Sequence, residues 1–199
     1  MSHSMADRAD SDALGAVFAY GEAREHGMSA QRLYALRDAG VIERIGHGLY
    51  QWTDMPTDDP DLLEIAHRAP RGTLCLTTAL ARHGLVDTIP AEIDVAVPRD
   101  AHRPRLHGPV RLHVFAANTF DIGREELRLD TGATLGLYGP ERSIVDLIRL
   151  RHQEGTDLAW TALRRWLRQS NAHPANLLTV ARHFRGADKP VRDALEVLL

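Results

Sequence analysis

Between Ser29 and Trp52 the apolar pattern of the chain switches from helical to strand-like with no linker between, and this switch constrains the N-terminal fold more than any other feature. Ser29 stands where a helix over 30–39 needs a capping acceptor. Gly40 stands where such a helix ends, because glycine takes up left-handed backbone without a steric penalty. At 100° per residue Leu33 and Leu36 fall on one side of this helix, while Gln31, Tyr34, Ala35 and Asp38 fall on the other. One side packs and the other is presented. Val41-Ile42-Glu43-Arg44-Ile45 then alternates as a strand, Gly46-His47-Gly48 supplies a tight turn, and Leu49-Tyr50-Gln51-Trp52 returns as a second strand. Upstream, residues 12–19 read as an apolar helix and turn, and residues 20–25 as a short second helix halted by His26-Gly27.

Helix, turn, helix and hairpin in that order predict a winged helix-turn-helix over residues 1–54. Its second helix fits a major groove, and its hairpin reaches phosphate or minor groove. This assigns Ser29, Gln31, Arg32 and Tyr34 to a helix contact with DNA and Arg44 and His47 to the wing. Winged helices also serve as protein-interaction modules. That alternative stays open, because Arg24, Arg32, Arg37 and Arg44 are matched by Glu22, Glu25, Asp38 and Glu43. A monomer with so little net charge binds DNA weakly, since phosphate neutralisation supplies most non-specific affinity.

Residues 55–199 read as a larger α+β domain. Asp59-Pro60 opens a helix over 61–69, closed by Pro70-Arg71-Gly72; residues 73–76 form a buried strand, and Thr77 caps a helix that stops at His83-Gly84. Further strands fall at 93–97, 111–115, 127–129 and 133–137, the last two joined across Asp130-Thr131-Gly132. Helices follow at 140–151, 158–169, 174–184 and 190–198. Strands first and helices later predict a small mixed sheet with a helical bundle behind it, rather than an alternating parallel fold.

In the helix over 158–169, Trp160, Leu163, Trp166 and Leu167 gather on one side, and Arg164, Arg165 and Arg168 on the other. Those arginines are candidate nucleic-acid or toxin contacts, beside the plain reading of a solvated face. Arg142, Asp146 and Arg149 lie at i, i+4 and i+7, which favours an exposed structural ion-pair ladder.

Catalytic and metal chemistry find little support. Asp94 sits in an apolar strand, as a metal-dependent nuclease would require, but such a site needs a second carboxylate and a nearby lysine. The one lysine, Lys189, is several helices away. His102, His107 and His113 lie around a proline-rich basic loop without zinc-site spacing, so no metal and no cofactor is assigned. Arg103 and Arg105 of that loop are further candidate contacts to nucleic acid or toxin. The one cysteine, Cys75, lies in an apolar run and reads as a buried thiol. No apolar stretch has the length of a membrane span and no secretory core follows Met1, so a cytoplasmic, non-enzymatic protein is expected; Met1 to Ser4 are given no role. A net charge of −3 excludes a strongly basic nucleic-acid binder but not a local patch, and residues after about 140 are locally basic.

Several blocks together resemble the AbiEi-type antitoxins of type IV toxin–antitoxin systems. They are Val17-Phe18-Ala19-Tyr20, Gly27-Met28-Ser29, Asp38-Ala39-Gly40-Val41-Ile42-Glu43-Arg44-Ile45, Leu76-Thr77-Thr78-Ala79-Leu80-Ala81-Arg82-His83-Gly84-Leu85, Ile93-Asp94-Val95-Ala96-Val97-Pro98 and Tyr138-Gly139-Pro140-Glu141-Arg142-Ser143-Ile144-Val145-Asp146-Leu147. The resemblance implies an autorepressor that binds repeated operator DNA, with homo-oligomerisation on that DNA, and whose C-terminal domain opposes a toxin of the nucleotidyltransferase class, by direct contact or otherwise. The wing departs from the family, which commonly has consecutive arginines there. Here an imidazole, His47, stands in their place and makes binding sensitive to pH. Two other readings remain: a metal-dependent nuclease targeted by the winged helix, and a pure toxin-binding module with a vestigial one.

Overall fold

The computed structural model describes residues 5–56 and 58–199, so Met1 to Ser4 lie outside the described residues. The chain forms two compact units. The first runs up to Pro70 and takes in Pro104–Gly108 and Arg128–Leu135; the second holds the remainder.

In the first unit the order is α1 (Met5–Leu14), β1 (Val17–Ala19), α2 (Tyr20–Glu25), α3 (Ala30–Asp38), β2 (Ile42–Gly46), β3 (Leu49–Trp52) and α4 (Pro60–Arg68). β3 lies between β1 and β2 and is antiparallel to both. This is the order and pairing of a winged helix. The expected helix and turn over 12–19 is corrected: the helix ends at Leu14, and Val17–Ala19 is a strand whose Phe18 pairs with Tyr50. Three residues are too few for alternation to reveal a strand, and the partner that satisfies their backbone lies far along the chain.

Phe18, Leu33, Ile42 and Trp52 are almost wholly buried and meet in one core with Met28, Leu36 and Tyr50. Phe18 carries this core, its ring centroid 5.6 Å from that of Trp52 and 6.0 Å from that of Tyr50. The period seen in the sequence is the reason: Leu33 and Leu36 of α3 point inward, while Gln31, Tyr34, Ala35 and Asp38 are exposed. α4 begins as expected, with the Asp59 carboxylate accepting from the Asp61 amide at 2.9 Å and proline at the first turn. It buries Leu62, Leu63 and Ile65, and also Glu64.

The second unit contains β4 (Thr73–Leu74), α5 (Leu76–Arg82), β5 (Ile93–Pro98), β6 (Val110–Phe115), α6 (Ala117–Phe120), β7 (Arg124–Arg128), β8 (Thr134–Tyr138), α7 (Pro140–Arg149), α8 (Arg151–Glu154), α9 (Thr156–Leu167), α10 (Pro174–Arg182) and α11 (Asp188–Leu198). β7 and β8 are counted here although their connection, Arg128–Leu135, clusters with the first unit. The sheet order is β6-β5-β4-β8-β7, with β4 antiparallel to β5 and parallel to β8, and β5 parallel to β6. A mixed sheet followed by helices makes the fold α+β, as expected.

Two local expectations change. The strand over 73–76 is shorter: Leu76 already belongs to α5, at φ 47°, and the cap position is Cys75 rather than Thr77. The Thr78 hydroxyl accepts from the Asp94 amide at 2.9 Å.

The Arg142, Asp146 and Arg149 ladder exists, but Arg142 and Asp146 are buried and Arg149 is only part exposed. Every residue from Arg142 to Ile148 is buried, because α7 is packed by α5, α9 and α10. Tyr138, at the end of β8, is also fully buried, and its hydroxyl donates to the Phe120 carbonyl at 2.7 Å.

Candidate nucleic-acid interface

The surface expected to meet DNA is built on α3. Ser29 Oγ accepts from the Arg32 amide at 3.1 Å, so the Ser29 hydroxyl is occupied in starting the helix. Gln31 and Tyr34 are exposed, Tyr34 at 43%. The Arg37 guanidinium lies 5.0 Å from the centre of the Tyr34 ring and is held by the Asp38 carboxylate at 2.7 Å. The Asp38 pair also raises the affinity of Arg37 for its proton.

Arg32 is the unexpected member. Its Nη2 lies 2.8 Å from Asp10 and 3.2 Å from Asp7, and its Nε donates to Asp10 at 3.1 Å. Two carboxylates of α1 therefore neutralise the cation that the sequence assigned to DNA. The sequence balance had counted Glu22, Glu25, Asp38 and Glu43, but not the helix that supplies the partners. What α3 presents outward is mainly an amide and a phenol. These groups read base edges and bond to phosphate without adding net charge.

The wing is a tight turn at His47-Gly48, where Gly48 takes φ 65° and Gly46 pairs with Leu49. Arg44 folds back over it: its Nε donates to the Gly46 carbonyl at 2.9 Å, and its Nη2 lies 3.5 Å from His47 Nδ1. The two predicted wing residues thus form one cluster.

A segment remote in sequence braces that cluster. The His47 ring stacks on the His107 ring with centroids 4.8 Å apart, and the His47 carbonyl accepts from Arg68 of α4. Both braces meet at Glu64, whose carboxylate accepts from the His107 amide at 3.0 Å and the Gly108 amide at 3.3 Å. It also contacts His107 Nδ1 at 2.8 Å and accepts from Arg68 Nε at 3.0 Å. Burial pushes the Glu64 carboxyl up, but the His107 and Gly108 hydrogen bonds outweigh it and hold the group below the usual glutamate range. Sequence reasoning treated His107 only as a rejected metal ligand and did not select Glu64. The available signal was an acid inside the apolar run Leu62-Leu63-Glu64-Ile65.

The remaining candidates separate by unit. Arg105 is exposed in the segment Pro104–Gly108 that carries His107, whereas Arg103 belongs to the second unit. On α9, Leu163 and Trp166 are buried, Trp160 and Leu167 are partly covered, and Arg164 and Arg168 are exposed. Arg165 is different: both its terminal nitrogens bond to Asp87, which raises the guanidinium pKa and lowers that of the carboxyl.

Asp94 is buried and pairs with Arg111 Nη2 and His113 Nε2, each at 2.8 Å. Among the described residues, no three His, Cys, Asp or Glu side chains gather to hold a metal ion. Cys75 is a buried thiol, as its apolar run implies.

Residues 13–52 match the family described as transcriptional regulator, AbiEi antitoxin. The matched stretch begins near the end of α1 and closes with the last residue of β3. No curated protein matches the chain. The resemblance read from the sequence is therefore supported over α2, α3 and the β2–β3 hairpin, where residues 13–52 are similar to the AbiEi antitoxin transcriptional regulators.

Proposed function

We propose that the chain is a cytoplasmic DNA-binding antitoxin that represses its own operon. Residues 1–54 read the operator, and residues 55–199 oppose a toxin of the nucleotidyltransferase class. The observation that carries this reading is the exposed Gln31 and Tyr34 face of α3 beside the Arg44 and His47 wing, inside the stretch that matches a regulator family. Gln31, Tyr34 and Arg32 meet base edges or phosphate, Ser29 starts the recognition helix, and Arg44 and His47 meet the backbone of the duplex. Arg105 extends the wing, and Arg103, Arg164, Arg165 and Arg168 serve a toxin or nucleic-acid contact. Several copies on a repeated operator compensate for the low charge of one copy. No helix among the described residues is long and apolar enough to cross a membrane.

A mobility-shift titration on the DNA upstream of the operon tests this. The Gln31→Ala/Tyr34→Ala variant is expected to lose specific affinity, at about 1–3 kcal/mol for each base contact removed. An unaltered shift removes α3 from the interface. The rival, a toxin-binding module whose winged helix no longer reads DNA, is favoured by one observation: Asp7 and Asp10 neutralise Arg32. It predicts no operator shift together with stable co-purification of the toxin.

A further inference from the structure

The second unit holds a cavity of about 340 Å³ that the DNA reading does not use. It is lined by residues of β6, α6 and α7 and by the turn after α10. Four arginines, Arg99, Arg142, Arg149 and Arg185, share its wall with His183, and among the described residues no carboxylate lines it.

Arg142 is the anchor. It is 1% exposed, yet it is neither displaced nor fully paired. Its Nε donates to Asp146 at 2.8 Å, and its Nη1 donates to the carbonyls of Thr119 at 2.8 Å and Ile122 at 2.7 Å. Its guanidinium lies 4.2 Å from the centre of the Tyr138 ring and 4.4 Å from that of Phe184. The plane is therefore fixed before any ligand arrives. The remaining nitrogen, Nη2, is buried with no hydrogen-bond partner among the described residues. A buried charged donor left open is costly, and native proteins retain one chiefly where something else supplies the acceptor.

The charges agree. Asp146 is fully buried and is shared by two cations, since Arg149 Nη2 also reaches it at 2.8 Å, leaving this cluster one positive charge in excess. Arg149 is part exposed and lies 5.5 Å from the same Phe184 ring, so the pocket pairs one buried guanidinium with one that water reaches. Arg99 and Arg185 are exposed at the rim.

We propose that this pocket binds the phosphate group of a small molecule, either free phosphate or the phosphate of a mononucleotide. A guanidinium fork matches phosphate geometry with two parallel hydrogen bonds, and a dianion answers the excess of cations better than a single carboxylate does. The volume falls within the range of about 300–1,000 Å³ typical of small-molecule sites. Arg142 and Arg149 line the same cavity, so the ligand meets two guanidinium groups there.

Calorimetric titration of the full chain with inorganic phosphate, adenosine monophosphate, adenosine and an oligoglutamate peptide tests the proposal. Saturable binding of phosphate or of the monophosphate is expected, with none of adenosine. Tighter binding of the monophosphate identifies a nucleotide site, and equal affinity identifies a phosphate site. The Arg99→Ala/Arg185→Ala variant, altered only at exposed positions, should keep the wild-type unfolding midpoint and bind at least tenfold more weakly. Arg142→Lys keeps the charge but loses the fork, and should bind no phosphate; if it does not fold, the rim variant remains decisive. Absence of saturable phosphate binding, undiminished binding by the rim variant, or binding of oligoglutamate alone overturns the proposal.

Discussion

Arg32 shows how one side chain can belong to an interface by position and not by charge. It lies on the helix that faces outward, yet two carboxylates of α1 already hold it. Replacing both by their amides, Asp7→Asn/Asp10→Asn, is expected to release the guanidinium for phosphate. Affinity for non-specific duplex should rise, and the slope of log K against log salt should steepen by about one unit. Binding isotherms at several salt concentrations read this directly, and an unchanged slope assigns Arg32 to internal structure.

Glu64 makes the complementary case. Its folded carboxyl holds its proton less tightly than the unfolded one, so proton uptake favours unfolding. The stabilisation is complete above the ordinary glutamate value, about 4.3, and is lost as pH falls through the lower folded value. Urea unfolding across that acid range should show the loss, and Glu64→Gln should flatten this part of the profile.

Among the elements, what was legible depended on whether a partner lay nearby in sequence. α3 could be read because its cap, its apolar stripe and its closing glycine are all local; the wing could be read because its turn is two residues long. β1 could not, because only pairing with β3 makes Val17–Ala19 a strand. α7 was recognised as a helix with a charge ladder, but its spacing is the same whether the ladder faces water or core. The packing of α5, α9 and α10 around it decides, and that is tertiary.

The turn before β7 tests the geometry around α7. Gly123 has φ 67°, and a Cβ there would lie 2.8 Å from Arg142 Cβ. Gly123→Ala should destabilise the second unit by about 1–3 kcal/mol, from overpacking and backbone strain together. Chemical denaturation measures this.

At the scale of the whole molecule, the outward side of α3 and the hairpin beside it were readable from local sequence, while the brace that organises the wing was not. Glu64, His107 and Arg68 are brought to His47 by folding alone, across a sequence distance that no motif spans. The cavity beside Arg142 escaped for the same reason, since Arg99, Arg149 and Arg185 come from separate segments.

Tyr138, sealed within the second unit with its hydroxyl on the Phe120 carbonyl, has a consequence for anyone handling the protein in alkali. Burial pushes its phenol well above the ordinary tyrosine range. Above about pH 10 the unfolded chain sheds this proton and the native one does not, so native stability declines there. The Tyr138 phenol should keep its neutral ultraviolet spectrum until the unit comes apart. Tyr138→Phe should abolish that delayed step, so the absorbance of a single ring serves as a built-in optical gauge of whether the C-terminal half is still intact.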